Sequence, residues 1–383
     1  MQLELFELYK PHFKIDNPIR LIELFGGIGS QAMALERLKC PYTAWKLVEY
    51  NKYPVMSYNA IHGTNFEPMD ITKVHAEDLQ IEDTDKFTYI MTYSFPCQDL
   101  SIAGLRAGMS KGTRSGLLWE VERILKECKE LPQVLIMENV TMVHSEDNVS
   151  DFKNWTGFLE SLGYTNYYKD LNSKDFGVAQ SRDRCFMVSI LGDYYYKFPK
   201  TINLKPRVRD YLKETEDKYY MNSQKAKDLI EELVAENRLF YRANTKRLKL
   251  LGCMDCSDGT LEKDNRVYDM SGIAATITCG SSSVQGKYLE IKPDKNGEYE
   301  INGEKCTIRV RKLNPIECWR IMGFTDEDYH KAEKVNSLVQ LQKQAGNSIV
   351  VNCLIGIFSQ LNIKGVDKWN DLTEEEIYTM LTT

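Results

Sequence analysis

Four groups of residues could do chemistry. Cys97 sits in Ser94-Phe95-Pro96-Cys97-Gln98-Asp99-Leu100-Ser101, just after an apolar run. A cysteine held by a preceding proline at the C-terminal edge of a parallel sheet, where ligands bind in open α/β folds, is placed to be a nucleophile. A lone cysteine is more often a buried structural thiol. Glu138, in Met137-Glu138-Asn139-Val140, also closes an apolar run. A carboxyl in such a setting can hold its proton near neutral pH and donate it, or simply cap the next element. Gln180-Ser181-Arg182-Asp183-Arg184 puts both arginines on one side of an extended segment. They could orient a carboxylate, a base or a phosphate, or form a surface ion-pair ladder. Last, Phe25-Gly26-Gly27-Ile28-Gly29-Ser30 lies between an apolar run and a helical pattern. Glycines there let backbone approach a ligand closely at a helix N-terminus. An acid that binds ribose hydroxyls is expected ~20 residues further on, and Glu49 occupies that place. The last glycine of GxGxxG is missing, which argues against a pyrophosphate-binding dinucleotide site and suits a nucleoside cofactor without phosphates. The alternative is a plain tight turn.

Positioning these groups requires a parallel sheet covered by helices. Strands are expected at 19–25, 44–49, 87–93, 133–137 and 184–190, with helices at 30–38 and 116–128. After about Phe198 the character changes: 200–249 is strongly charged and partly helical, and 252–305 is rich in Gly, Ser, Asp and Asn. Short strand-like pieces such as Ile273–Thr278 suggest a second, smaller, irregular lobe. The segment 341–361 reads as a glycine turn followed by an apolar helix that packs back onto the first lobe. No internal repeat is present.

Composition narrows the class. The 383 residues, 43% hydrophobic and 27% charged, describe an ordinary folded chain that can bury one large core and build a second lobe. No run approaches the ~20 apolar residues that cross a bilayer, and the N-terminus does not read as a signal peptide, so an intracellular, cytoplasmic place is expected. The 10 cysteines follow no framework and suit free thiols. Cys253 and Cys256 form a lone CxxC without a second pair, so no metal site is expected. The net charge of −6 does not announce a nucleic-acid binder. A local basic stretch holding Arg238, Arg242, Lys246, Arg247 and Lys249, interleaved with aromatics, can still serve as one; alone it reads as a solvated helix face.

Taken together and in this order, the motifs resemble the cytosine-(carbon 5) DNA methyltransferase family from Leu21 to about Leu354. Phe25-Gly26-Gly27-Ile28-Gly29 is similar to its cofactor turn, Pro96-Cys97-Gln98 to its catalytic motif, Glu138-Asn139-Val140 to its acid motif, and the segment Gln180 to Arg184 to its QxRxR motif. Arg311 to Phe324 resembles the RxLTPxExxRLxGF segment, and Ala345-Gly346-Asn347-Ser348-Ile349 the closing GNSV motif. The stretches 92–101 and 112–120 are especially similar to the bacterial and mycoplasmal subgroup that includes CpG methylases. Departures are small: Asn314 for threonine, Met322 for glutamine and Ile349 for valine.

The resemblance implies a Rossmann-like S-adenosylmethionine-dependent methyltransferase core, with a mixed, mostly parallel sheet and helices on both faces, plus a target-recognition domain. The expected limits are 1–198 for the catalytic domain, 199–336 for target recognition, and 337–383 for a segment returning to the first domain. It implies Cys97 as nucleophile toward carbon 6 of a flipped-out cytosine, Glu138 as acid at ring nitrogen 3, and Arg184 with Arg182 holding the base. S-adenosyl-L-methionine would be held by Phe25, Gly26, Gly27, Gly29, Glu49, Asp70, Pro96, Leu117, Asn347 and Ser348. Duplex DNA would be contacted by Gln98, Ser101, Arg114, Arg242, Lys246, Arg247, Thr276 and Thr278, with the loop after Gln98 as a lid. A monomer acting on duplex DNA is expected; neither the recognised sequence nor a partner restriction endonuclease is inferable. Rival readings are a transfer-RNA cytosine methyltransferase, expected to carry a Cys-Phe-Thr tripeptide that this chain lacks, a non-catalytic DNA-binding relative, and a nucleotide-dependent oxidoreductase.

Overall fold

The apolar runs of the first half become a six-stranded sheet in the computed structural model, which describes residues 10–96, 115–213, 215–239, 245–280 and 286–382. Its strands are β1 (Ile19–Leu24), β2 (Tyr42–Val48), β3 (Thr88–Tyr93), β4 (Val134–Asn139), β5 (Tyr164–Asn172) and β6 (Asp183–Leu191), in the order β2-β1-β3-β4-β6-β5. Pairs β1–β2, β1–β3 and β3–β4 are parallel, whereas β6 runs antiparallel to both β4 and β5. The central strands β3 and β4 are buried at every position, which is why they read as continuous apolar runs rather than alternating ones. Helices Ser30–Arg37, Lys52–His62, Leu118–Glu127 and Val149–Ser161 surround the sheet. The apolar residues of the last two join one cluster that includes Leu24, Tyr93, Leu118, Trp155 and Met187.

Contacts divide the chain into two units. The first comprises Met1–Asn172, Asp183–Ile202 and Ile349–Thr383; the second comprises Ser173–Arg182 and Asn203–Ser348. Against the expected limits at 198/199 and 336/337, the changeovers fall at 202/203 and 348/349, and a ten-residue piece after β5 joins the second unit. The wholly buried helix Val351–Ser359 packs on Ser30–Arg37 in the first unit. Helix Leu338–Asn347 instead stays with the second, where Trp319 Nε1 donates to the Leu341 carbonyl.

The second unit holds a five-stranded sheet, more regular than its composition suggests. Strands β7 (Leu250–Cys253), β8 (Arg266–Asp269), β9 (Lys287–Pro293), β10 (Tyr299–Ile301) and β11 (Glu304–Lys312) lie in the order β10-β11-β9-β8-β7. Asn302 and Gly303, with φ of 53° and 82°, make the tight turn between β10 and β11, the left-handed pair that two-residue hairpins favour. Helix Gln224–Ala235 lays Ala226, Leu229, Ile230 and Leu233 on this sheet. Arg311 is fully buried, paired bidentately with Glu317 at 2.7 Å and with Glu290 at 3.2 Å. That triad ties β11 and β9 to the helix Pro315–Ile321. Ile273–Thr278, the strand-like piece, lies outside this sheet; its backbone forms a parallel bridge with the piece at 173–182, through Ala274 N to Ala179 O and Ser181 N to Ala274 O.

Among the described residues no helix is long and apolar enough to cross a membrane.

Candidate active site

The reversal of β6 brings the acid motif and the arginine motif together. Because β6 runs against β4, the C-terminal end of one meets the N-terminal end of the other, with Glu138 opposite Phe186 and Asn139 opposite Cys185. Arg184, two residues from Phe186, therefore shares Glu138's face of the sheet. Its Nε lies 3.1 Å from Glu138 Oε1, with the side chains 19% and 10% exposed. This is a charge-assisted contact at a sheet edge, nearly buried yet open to solvent. Arg184 Nη1 also donates to the Asp183 carbonyl, which fixes the guanidinium's direction.

Asn139 points the other way along the same edge. Its Nδ2 donates to the Phe95 carbonyl at 3.0 Å, and its Oδ1 accepts from Val140 N at 2.8 Å. Phe95 is buried and Pro96 half-buried, so the backbone entering Pro96-Cys97 is anchored to the acid strand. Cys97 itself, with Gln98, Ser101, Arg114 and Arg242, lies outside the described residues.

Arg182 has a different place from Arg184. It is buried in the second unit, where Nη1 donates to the Ile277 carbonyl and Nη2 to those of Gly346 and Ser348, at 2.9–3.1 Å. Gln180 donates to the Ile321 carbonyl and accepts from Ile277 N. The Thr276 hydroxyl donates to the Ser181 carbonyl. The QxR half of the motif thus braces the segment 275–278 and the helix end at Gly346. A Cβ at Gly346 would lie 2.1 Å from the Thr278 carbonyl carbon, so only glycine fits this approach.

The glycine turn leaves β1 through three left-handed residues, Phe25 (φ 57°), Gly27 (φ 59°) and Gly29 (φ 85°). Phe25 N donates to the Val48 carbonyl at 2.7 Å, tying the turn to β2. Glu49, just past β2, accepts from Gly27 N through Oε2 and from Asn51 N through Oε1. Burial pushes its carboxyl up, against the pull of these two backbone bonds. At Gly26 a Cβ would collide with Leu47, whereas at Gly27 it would meet nothing within 4 Å. The turn is packed from behind and open in front. Asp70 caps the short helical turn Ile71–Lys73, and hydrogen bonds from Thr72 hold its carboxyl below the usual range. Leu117, half-buried, packs on the core cluster that also receives Phe25. Asn347 and Ser348 belong to the second unit, Asn347 exposed and Ser348 buried with its hydroxyl on the Gln344 carbonyl.

Sequence reasoning overlooked Tyr50, which directly follows Glu49 and is 77% exposed. Its position beside Glu49 was the available signal. Of the basic stretch, Lys246 and Arg247 are exposed, with Lys246 Nζ donating to Asn203 Oδ1, and Thr278 is exposed as well. One trio of potential metal ligands, His144, Asp170 and Cys185, lies within 4.8 Å among the described residues. Its imidazole and carboxylate already satisfy each other at 2.9 Å, and burial pushes the Cys185 thiol well above its usual range.

The family model for C-5 cytosine-specific DNA methylases matches residues 19–362. The type II methyltransferase M2.ScrFI of Lactococcus lactis subsp. cremoris is 30% identical over 400 residues, covering 90% of this chain and 99% of that protein. The orphan methyltransferase M.SssI of Spiroplasma monobiae is 28% identical, covering 91% and 99%. Among solved structures, the Dnmt2 methyltransferase of S. pombe is similar in fold, with a TM-score of 0.60 at 19% identity over 89% of this chain and 97% of that one. With the family's motifs in order and its match running through both units, the chain belongs to the C-5 cytosine-specific DNA methylases and is an S-adenosylmethionine-dependent DNA cytosine methyltransferase.

Proposed function

We propose that this enzyme modifies a flipped-out cytosine within a short duplex DNA sequence through a covalent Cys97 adduct, with Glu138 and Arg184 acting on the base. The observation that carries the reading is the Glu138–Arg184 pair, 3.1 Å apart at the edge of the sheet and on the strand whose last residue anchors Phe95.

Carbon 5 of cytosine is too weak a nucleophile to be alkylated directly. Addition of the Cys97 thiolate to carbon 6 breaks the ring's aromaticity and moves electron density to carbon 5. Glu138 donates a proton to ring nitrogen 3 as negative charge develops there. Arg184, braced by Glu138 and by its own backbone, holds the base against rotation and stabilises the charged adduct. S-adenosylmethionine, when bound, supplies an electrophilic sulfonium methyl group. Loss of the carbon-5 proton to water then restores the double bond and expels Cys97 as a thiolate, while ring nitrogen 3 returns its proton to Glu138. A base stacked in a duplex cannot reach these groups, so the reaction requires flipping.

The fit of the cofactor turn rests on Gly27, where a side chain would fill open space, and on Glu49, which holds the turn from its end of β2. Tyr50, exposed next to Glu49, offers a flat face to a heterocycle. The resemblance adds Asp70, Pro96, Leu117, Asn347 and Ser348 to the proposed cofactor-binding residues. The exposed Lys246, Arg247 and Thr278 suit contact with DNA phosphates, together with Gln98, Ser101, Arg114 and Arg242. Thr276, whose hydroxyl is engaged with Ser181, shapes that surface. The relatives are called type II and orphan methyltransferases, and a monomeric modification methylase of that kind is our reading.

Tritiated S-adenosylmethionine, offered with separate pools of duplex DNA and transfer RNA, tests it. Label in DNA, confined by bisulfite sequencing to one short context and lost in Cys97→Ala, supports the reading. Label in RNA alone, or a Cys97→Ala protein that still methylates DNA, overturns it. Oligonucleotides carrying 5-fluorocytosine should trap the adduct, because fluorine cannot leave as a proton does.

A further inference from the structure

Helix Lys52–His62 ends against the glycine turn, and its last residue, His62, has a side chain only 1% exposed. Nδ1 lies 2.8 Å from Glu36 Oε1, and Nε2 lies 3.3 Å from the Ile28 carbonyl oxygen, inside the turn. A carboxylate and a carbonyl only accept. A neutral imidazole has one N–H and can serve one of them; the imidazolium serves both. The approach is close: a Cβ on Gly29 would lie 2.3 Å from His62 Nε2 and 2.7 Å from Tyr58 Cε2.

The groups facing His62 favour the charged ring. Glu36 comes from helix Ser30–Arg37, with the Tyr42 hydroxyl of β2 donating to it at 2.7 Å. Glu23, fully buried on β1, accepts from the Tyr58 hydroxyl at 2.5 Å, and the Tyr58 ring packs against His62 with centroids 4.5 Å apart and planes tilted by 51°. Burial of the ring opposes its charge, but the Glu36 hydrogen bond and the Glu36 and Glu23 carboxyls outweigh it and raise His62 above the usual histidine range.

We propose that His62, as an imidazolium, is a positioning residue for the cofactor turn: it grips the Ile28 carbonyl between Gly27 and Gly29, so that His62 protonation and S-adenosylmethionine binding are linked. The inference rests on the proposed reading of Phe25–Gly29 as the turn that holds the cofactor. Linkage is reciprocal: if the protonated ring favours the bound turn, the bound cofactor holds the proton on His62 more tightly. Cofactor affinity then falls as pH rises through the titration of His62. None of this requires His62 to touch the cofactor.

The chain has 5 histidines, so histidine ring-carbon resonances can be followed by NMR from pH 5 to 10 on the full chain. Replacing His12, His75, His144 and His330 singly assigns His62 by elimination, without depending on a buried variant. S-adenosylhomocysteine, the demethylated product, is the probe. The expected result is a His62 midpoint displaced upward by about one pH unit on saturation, matched by an affinity about tenfold weaker at the alkaline end. His62→Gln, which keeps an amide donor but does not titrate, should remove that part of the pH dependence. A midpoint unmoved by the probe, or a His62 neutral at pH 6, overturns the inference. Gly27→Asn separates the two claims: asparagine tolerates a left-handed backbone but fills the open space. If that variant binds the probe as tightly as the natural chain, the reading of the turn falls; if it loses the probe while the natural chain's His62 midpoint ignores it, only the linkage falls.

Discussion

Asn139 Nδ2 donates a 3.0 Å hydrogen bond to the Phe95 carbonyl, joining the last residue of β4 to the backbone two residues before Cys97. The strand that carries Glu138 is thus hydrogen-bonded to the backbone leading toward the proposed nucleophile. Asn139→Ala leaves a buried carbonyl without its donor, a loss of ~1–3 kcal/mol. If that loss is expressed at Cys97, kcat falls about ten- to a hundredfold while cofactor affinity holds. Steady-state tritium incorporation and a cofactor titration on the same preparation check both halves.

Glu138→Gln keeps an acceptor for Arg184 and removes the proton donor. A general acid contributes roughly 10²–10⁴-fold, so kcat should drop by that order with DNA affinity little changed. Arg184→Lys retains a charge but loses the planar fork that fixes direction. It should cost about tenfold in kcat, and the double variant should be no slower than Glu138→Gln alone. Single-turnover methylation of one duplex oligonucleotide measures all three.

Arg182→Ala strips three buried carbonyls, those of Ile277, Gly346 and Ser348, of their donor. A destabilisation of ~3 kcal/mol follows from that loss, or a fall in Tm of about 10 °C at the scale of a large domain. Arg182→Lys should restore little, since an ammonium cannot span the three acceptors. Calorimetry reads the stability, and cofactor affinity should weaken along with it, since Gly346 and Ser348 flank Asn347.

Glu23 gives the pH dependence of stability a sign. Burial on β1 pushes its carboxyl up to about 7, with the Tyr58 hydrogen bond working the other way. The folded chain favours the protonated acid more than the unfolded chain does. The associated stability is complete below about pH 4.5 and is lost as pH rises to about 7, a difference of about 3 kcal/mol. His62, also raised, adds a loss in the same direction above its unfolded value. Urea unfolding from pH 5 to 8 should show falling midpoints, and Glu23→Gln should flatten much of the slope.

Much of this was legible in the residues. β1, β3 and β4 stood out because burial on both faces makes continuous apolar runs, and the glycine turn declared itself by position. β5 did not: Tyr164–Asn172 alternates neither cleanly nor deeply, since its middle is exposed at the sheet edge. The sequence also placed Arg182 and Arg184 on one side of one segment. They are two residues apart, yet the chain passes from the second unit to the first between Arg182 and Asp183, so one braces carbonyls and the other meets Glu138. No spacing rule carries a unit boundary. The roles of Gln180, Asn139 and His62 were equally hidden, because each acts on a backbone carbonyl whose partner is settled only by the fold.

The ten residues Ser173–Arg182 matter to anyone who would exchange the second unit between enzymes of this kind. A transplant cut at 203 and 348 would leave behind the strip on which Ala274 and Thr276 are hydrogen-bonded, and the donor's segment 273–278 would meet a foreign strip. A working chimaera has to move two pieces, 173–182 and 203–348, and keep the recipient's β6 between them. Recombination in nature meets the same constraint: a single crossover inside 183–202 divides a matched pair.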